Sequence, residues 1–161
     1  MRPALIAFGA NLANPREMLL HAVEAMAGEG VVIDAVSPLY RSPAWPPGSD
    51  APDYTNAVMA VRFDAGPAEL MSLMLRIEET LGRVRTITNA PRSIDLDLID
   101  LDGCESDDPH VTLPHPRMAD RAFVLLPLKD VAPEWRHPDG RGIDALIAAV
   151  DCSQTVRVES R

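Results

Sequence analysis

Two carboxylates two positions apart, Asp95 and Asp97, stand in the run Ser93-Ile94-Asp95-Leu96-Asp97-Leu98-Ile99. The alternation of apolar and acidic residues predicts a strand, whose alternate side chains share a face. Ile94, Leu96 and Leu98 then point into the core. Asp95 and Asp97 point the other way, their Cβ atoms roughly 6.5–7 Å apart. Like charges so placed repel unless water screens them or a cation lies between. Hard oxygens at this spacing suit Mg²⁺, which takes one or two carboxylates and completes its shell with water and phosphate oxygens. An ordinary solvated strand face has the same pattern. Arg83, Arg85 and Arg92 lie just upstream, and guanidinium forks pair with phosphate, although loop arginines are also often simply solvated. Metal-holding carboxylates beside charge-neutralising arginines are what phosphoryl transfer requires. The chain has a single lysine, Lys129, and no G-x-x-x-x-G-K-[ST] motif. A P-loop is therefore excluded, and a nucleotide must be held by arginine, metal and backbone.

A second cluster is Asp53-Tyr54-Thr55-Asn56. Tyr54 offers a flat face, and the Asn56 amide offers a donor and an acceptor side by side, which suits a planar heterocycle with an amide-like edge. Phe123 can supply an opposing face. Both aromatics also fit as plain core residues. His115 lies between Pro114 and Pro116, placed either to contact a phosphate or nucleobase or to pack within its loop.

These groups need elements to position them. Ala4–Phe8 reads as a buried strand. Asn14 caps a helix that Pro15 opens and that runs to about Ala27, stopped by Gly28 and Gly30. Val31–Val36 is a second strand. Ser37–Pro52 holds five prolines and is expected as a long functional loop. A third strand covers Asn56–Phe63. Pro67 opens a second helix with Leu70, Met74, Ile77 and Leu81 on one face, and Gly82 is its expected stop. Gly82–Pro91 reads as a mobile loop and Ser93–Asp100 as a strand. The acidic stretch after Gly103 reads as irregular. A helical turn is expected over Arg121–Leu126, a short helix over Ile143–Val150, and a loose end. The order β-α-β-β-α-β is the split ferredoxin-like α+β plan, with a C-terminal extension and long loops.

The 161 residues fit one domain, 1–161, and carry a net charge of −9. That balance argues against a general nucleic-acid binder. No run is long enough to span a bilayer. A secretory leader is not expected. Cys104 and Cys152 form no metal or redox motif, and two reduced thiols in a cytoplasmic protein are expected.

Taken together the motifs resemble the 6-hydroxymethyl-7,8-dihydropterin pyrophosphokinases of folate biosynthesis. The carriers run from about Ala4 to about Asp139: Gly9-Ala10-Asn11-Leu12, Tyr40-Arg41-Ser42-Pro43, Asp53-Tyr54-Thr55-Asn56, Gly82-Arg83-Val84-Arg85, Ala90-Pro91-Arg92 leading into the Asp95/Asp97 strand, Pro114-His115 and Arg121-Ala122-Phe123. The resemblance implies transfer of the β,γ-pyrophosphoryl group of ATP to the pterin hydroxymethyl oxygen, with AMP as the other product. It implies two Mg²⁺ ions on Asp95 and Asp97, with Arg83 and Arg92 as catalytic partners. It implies an ATP site of Glu78, Arg83, Arg85, Arg92, Leu98, Thr112, His115 and Arg121. It implies a pterin site of Ser42, Pro43, Trp45, Tyr54, Asn56 and Phe123. ATP and the pterin would be the partners of a monomer that binds neither nucleic acid nor membrane. A pterin- or nucleotide-binding sensor and a metal-dependent nucleotide hydrolase are the competing readings. Retained transfer residues speak against the sensor, and a pocket for a heterocyclic acceptor speaks against the hydrolase.

Overall fold

The computed structural model describes residues 1–11, 14–43, 53–85 and 94–158, the side chains of 83–85 excepted. Its organising element is β1, Arg2–Ala10. Ala4, Ile6, Phe8 and Ala10 are buried in one apolar cluster, while Leu5 and Ala7 are buried in a second on the opposite face. A strand apolar on both faces belongs inside a sheet with both sides covered. β1 accordingly pairs antiparallel with β4, Tyr54–Phe63, on one side and with β5, Asp95–Leu101, on the other.

The far edge of β4 is shared by two short strands. β2, Val32–Val36, pairs with its second half, and β3, Tyr40–Ser42, pairs with Tyr54–Asn56. A two-residue strand, β8, Val156–Arg157, lies antiparallel against β3. The result is a mixed helix-and-sheet fold with an antiparallel sheet. β3 was not foreseen within the proline-rich stretch, nor β8 in the expected loose end. The acidic stretch after Gly103 is also ordered, as a hairpin of β6, Ser106–Asp108, and β7, Val111–Leu113. Val111 and Leu113 are buried and Thr112 is exposed, the alternation of a half-buried strand.

One face of the sheet carries α1, Pro15–Gly28, and α2, Pro67–Arg85. Asn14 Oδ1 accepts the Glu17 N–H at 3.4 Å, and Pro15 occupies the first turn. Met18, Leu19, Ala22 and Met26 face the core. Beyond α1 the chain turns at Gly30, whose φ of +91° few other residues adopt. α2 passes through Gly82 and ends at Arg85, later than expected. Glycine costs a helix interior about 1 kcal/mol, less than the burial of Leu81 and Ile77 contributes on the inner face.

α3, Ala122–Val131, and α4, Ile143–Ala148, cover the opposite face. Val124, Leu125, Leu128, Ile143 and Leu146 pack there against Leu5, Val58 and Ile99. α3 outlasts the expected turn because Leu125 and Leu128, both fully buried, hold it to the sheet in spite of Pro127 within it. α3 is also tied to β3: the Tyr40 hydroxyl donates to Asp130 Oδ2 at 2.5 Å. Among the described helices none is long and apolar enough to cross a membrane, and Cys104 and Cys152 are both free thiols.

Burial, with the hydrogen bond to Asp130 next, pushes the Tyr40 hydroxyl up to about 12. A raised folded-state value means that the contribution is complete below the unfolded value near 10 and vanishes as pH climbs through about 12. Urea midpoints across that range are expected to fall more steeply for the wild type than for Tyr40→Phe, with the difference between them shrinking as pH passes about 12.

Candidate active site

The polar end of the sheet opens on its α3 side. Along that face of β1 the side chains shrink stepwise from Leu5 to Ala7 to Gly9. Register places Asp97 beside Ala7, and sets Gly9 between Asp95 on β5 and Asn56 on β4. Small residues at the centre of a row of larger neighbours leave a hollow. A cavity of about 220 Å³ lies there, with Ala7 and Gly9 in its floor and Asp95 and Asp97 along one side. Ser42, Pro43, Tyr54 and Asn56 form the opposite side. Arg121 and Phe123, at the start of α3, close the top.

Each side chain is held by its element. Tyr54 and Asn56 share the α3 face of β4, two residues apart. Asn56 is buried, and its Nδ2 donates to Ser42 Oγ at 2.9 Å and to the Tyr40 carbonyl at 3.5 Å. With the amide nitrogen engaged by β3, Oδ1 is turned toward Gly9, where an added Cβ would lie 3.4 Å from it and 4.0 Å from Tyr54 Cδ1. The cavity thus has an aromatic wall with an oriented acceptor beside it. Phe123 contributes a second aromatic surface, and the Arg121 guanidinium carbon sits 5.6 Å from that ring's centroid, within cation–π range.

Asp95 and Asp97 are both half-buried and on the cavity face, while Leu96 and Leu98 are buried beneath the helices. The expected alternation holds through Leu98 and then breaks. Leu98 pairs with Ile6 and Asp100 with Leu5, so Ile99 is an extra residue, a bulge. Asp100 stays on the α3 side, 7% exposed, where its Oδ2 accepts from Trp135 Nε1 at 3.3 Å. The stretch between Asp95 and Asp97 is braced from the other layer: Glu78 Oε2 on α2 accepts the Leu96 N–H at 2.8 Å.

His115 adjoins Asp97 and Arg121 around a small extension of the same hollow. Its backbone N–H donates to the Ile99 carbonyl at 3.1 Å, and its Nδ1 accepts the Arg117 N–H at 3.2 Å. In the neutral ring Nε2 then carries the proton. Burial lowers the His115 pKa, the Asp97 carboxylate works against that shift, and Arg121 and Arg117 add to it. The net direction favours a neutral imidazole.

Of the residues singled out in the sequence, the fold gathers Ser42, Pro43, Tyr54, Asn56, Asp95, Asp97, Arg121 and Phe123 about one cavity, with His115 adjoining. Leu98 needs correction as a ligand-facing side chain: it is 1% exposed and belongs to the core on the helix side. The fold does not bring the Thr112 side chain into the cavity either. It is exposed, and its Oγ1 donates to the Asp108 carbonyl at 3.0 Å. Glu78 approaches through the backbone of β5 rather than through the cavity. The side chains of Arg83 and Arg85, and all of Arg92 and Trp45, lie outside the described residues. Ala7 and Gly9 received no role in the sequence reading. The falling side-chain size at every second position of β1 was the available signal.

This fold and cavity define a class, a small mixed helix-and-sheet domain whose cavity sets aromatic and amide groups opposite two carboxylates. Residues 5–133 match the model of the 7,8-dihydro-6-hydroxymethylpterin-pyrophosphokinase (HPPK) family. The 2-amino-4-hydroxy-6-hydroxymethyldihydropteridine pyrophosphokinase of Pseudomonas aeruginosa is 41% identical over 145 residues, 89% of this chain and 89% of that protein. The protein of the same name from Synechocystis sp. is 37% identical over 152 residues, 93% of this chain and 77% of that one. In fold the chain is similar to a crystal structure of a Plasmodium falciparum HPPK-DHPS triple mutant, with a TM-score of 0.72 and 14% identity over 92% of this chain. The chain spans 43% of that longer polypeptide. The chain belongs to the 7,8-dihydro-6-hydroxymethylpterin-pyrophosphokinase family, the ATP-dependent diphosphotransferases of folate biosynthesis.

The cavity floor gives a direct test. Gly9 is in extended backbone that any residue adopts, so Gly9→Leu is expected to fold while filling the hollow between Tyr54 and Asn56. Calorimetric titration is expected to show pterin binding weakened at least about 100-fold, with the thermal midpoint changed by only a few degrees.

Proposed function

We propose that this cavity seats 6-hydroxymethyl-7,8-dihydropterin, and that the Asp95/Asp97 edge beside it receives the triphosphate of ATP, in a cytoplasmic monomer spanning residues 1–161. The observation that carries the reading is the register of Gly9, which sets a ring-sized hollow directly between the amide of Asn56 and the carboxylate of Asp95. The path β5-β1-β4-β2 supports a ferredoxin-like core, with β3, β8 and the hairpin as additions.

The pterin stacks between Tyr54 and Phe123, and Asn56 with the backbone near Ser42, Pro43 and Trp45 reads its amide-like edge. Its hydroxymethyl oxygen attacks the β-phosphorus of ATP. An O–Pβ bond forms, the bond from Pβ to the α,β-bridging oxygen breaks with its electron pair leaving on AMP, and the hydroxyl proton passes to a phosphate oxygen or to water. Asp95 and Asp97 offer hard carboxylate oxygens on one strand face, a donor set that fits Mg²⁺, which binds through one or two carboxylates and completes its shell with water and substrate oxygens. Two such ions would neutralise phosphate charge and lower the cost of developing negative charge on the leaving group. Arg121 and the Nε2–H of His115 face the same edge and offer donors to phosphate oxygens. Arg83, Arg85 and Arg92 are the further arginines expected at the ATP site, and Glu78 supports it from behind through the Leu96 N–H. No strong general base is required: alignment and charge neutralisation supply most of the rate in this kind of transfer.

Incubation with ATP, Mg²⁺ and the pterin is expected to yield AMP that depends on pterin, with no ADP. ADP formed without pterin would point to a nucleotide hydrolase instead, and binding without turnover to a sensor. Asp97→Ala, which removes a ligand-facing carboxylate rather than a core residue, is expected to lower kcat by at least about 1,000-fold with an unchanged far-UV spectrum.

A further inference from the structure

The two walls of the cavity belong to separate elements. Ser42 and Asn56 stand on the sheet, and Phe123 stands on α3. Any sideways movement of α3 changes the gap between them. Besides the apolar packing of α3 on the sheet, a hydrogen bond spans the two walls away from the cavity: the Tyr40 hydroxyl donates to Asp130 Oδ2 at 2.5 Å, 90 residues apart in sequence. Neither residue lines the cavity.

We propose that Tyr40 and Asp130 are a positioning pair for the pterin, setting the separation between the Asn56 wall and the Phe123 wall. The proposal rests on the cavity being the pterin site. Three observations carry it. Tyr40 is 8% exposed, so its ring is fixed by packing and the hydroxyl is delivered at a defined height above the sheet. The same residue accepts the Asn56 amide through its carbonyl at 3.5 Å, while Ser42, two residues on, accepts it at 2.9 Å. Tyr40 thus holds the ligand-facing amide with its backbone and α3 with its side chain. Finally, β3 is three residues long and its outer neighbour β8 is two. So few ladder bonds leave a strand position soft, and a side-chain tie to a packed helix then decides where it sits. Asp130 and Phe123 are seven residues apart in α3, roughly 10 Å along its axis, and Leu125 and Leu128, buried between them on the sheet side, make the two ends move together.

Tyr40→Phe removes one hydroxyl and keeps the ring. The expected result is a Kd for the pterin raised about 3- to 10-fold, with a matching rise in KM, kcat within about twofold, and the Kd for a nonhydrolysable ATP analogue unchanged. A role confined to stability would lower the thermal midpoint without this split between the two ligands. Asp130→Asn, which retains an acceptor oxygen, is expected to bind pterin nearly as the wild type does. Asp130→Ala is expected to match Tyr40→Phe, and the double variant to be no worse than either single one. Pterin affinity of Tyr40→Phe within twofold of wild type overturns the pair, as does an equal loss for pterin and ATP analogue. A wild-type protein that binds no pterin at all overturns the pocket assignment and the pair together.

Discussion

The pairing register of β1 is the constraint on which the site depends. A strand covered on both faces cannot slip by one residue without exchanging its two apolar sets. Here such a slip would bring Phe8 to the cavity side and turn Gly9 into the helix-side core. The burial of Ile6 and Phe8 under α1 and α2 and of Leu5 under α3 prevents it. Since β4 and β5 take their positions from β1, the same packing places Asn56, Asp95 and Asp97 around Gly9. The chemistry-bearing groups thus stand on rigid neighbouring strands, and their mutual geometry is paid for by apolar burial several residues away.

The site's charge balance follows from this layout. The chain carries a net charge of −9, and two half-buried carboxylates face the cavity. A polyanionic substrate is admitted to such an edge only with local compensation. Arg121 and Arg117 lie close enough to hold the neighbouring imidazole neutral, in the same direction as its burial. Arg121 therefore sets a positive charge against the two carboxylates at one end of the cavity, while Tyr54 and Asn56 on the opposite wall are uncharged.

The elements with full periodic patterns were readable from the residues. The apolar stripe of α1 between Asn14 and Gly28, the stripe of α2, and the alternation of Ile94 to Leu98 each specify an element and its buried side. The acidic pair could be placed on a common face for the same reason, since a strand leaves no other option. What could not be read depends on partners distant in the chain. β3 has three residues, and only pairing with Tyr54–Asn56 makes it a strand. β8 exists because β3 offers it an edge. Gly82 looked like a terminator because local propensity ignores the burial of Ile77 and Leu81. The bulge at Ile99 arises from how β1 and β5 must align, which neither strand encodes alone. Leu98 was assigned to a ligand by resemblance, whereas the alternation that fixed Asp97 already sends its side chain to the core.

The place of β8 bears on how the molecule is made. Val156 and Arg157 are hydrogen-bonded along Tyr40 and Arg41, and the Val158 N–H reaches the Leu39 carbonyl at 2.8 Å. During synthesis the chain emerges amino end first, so β1, β4 and β5 can find one another well before residue 158 leaves the ribosome. The strand carrying Tyr40 and Ser42 acquires its outer hydrogen bonds last of all. A nascent chain halted shortly before that point holds Asp95 and Asp97 in a paired β1–β4–β5 sheet but leaves the outer edge of β3, beside Ser42, unzipped.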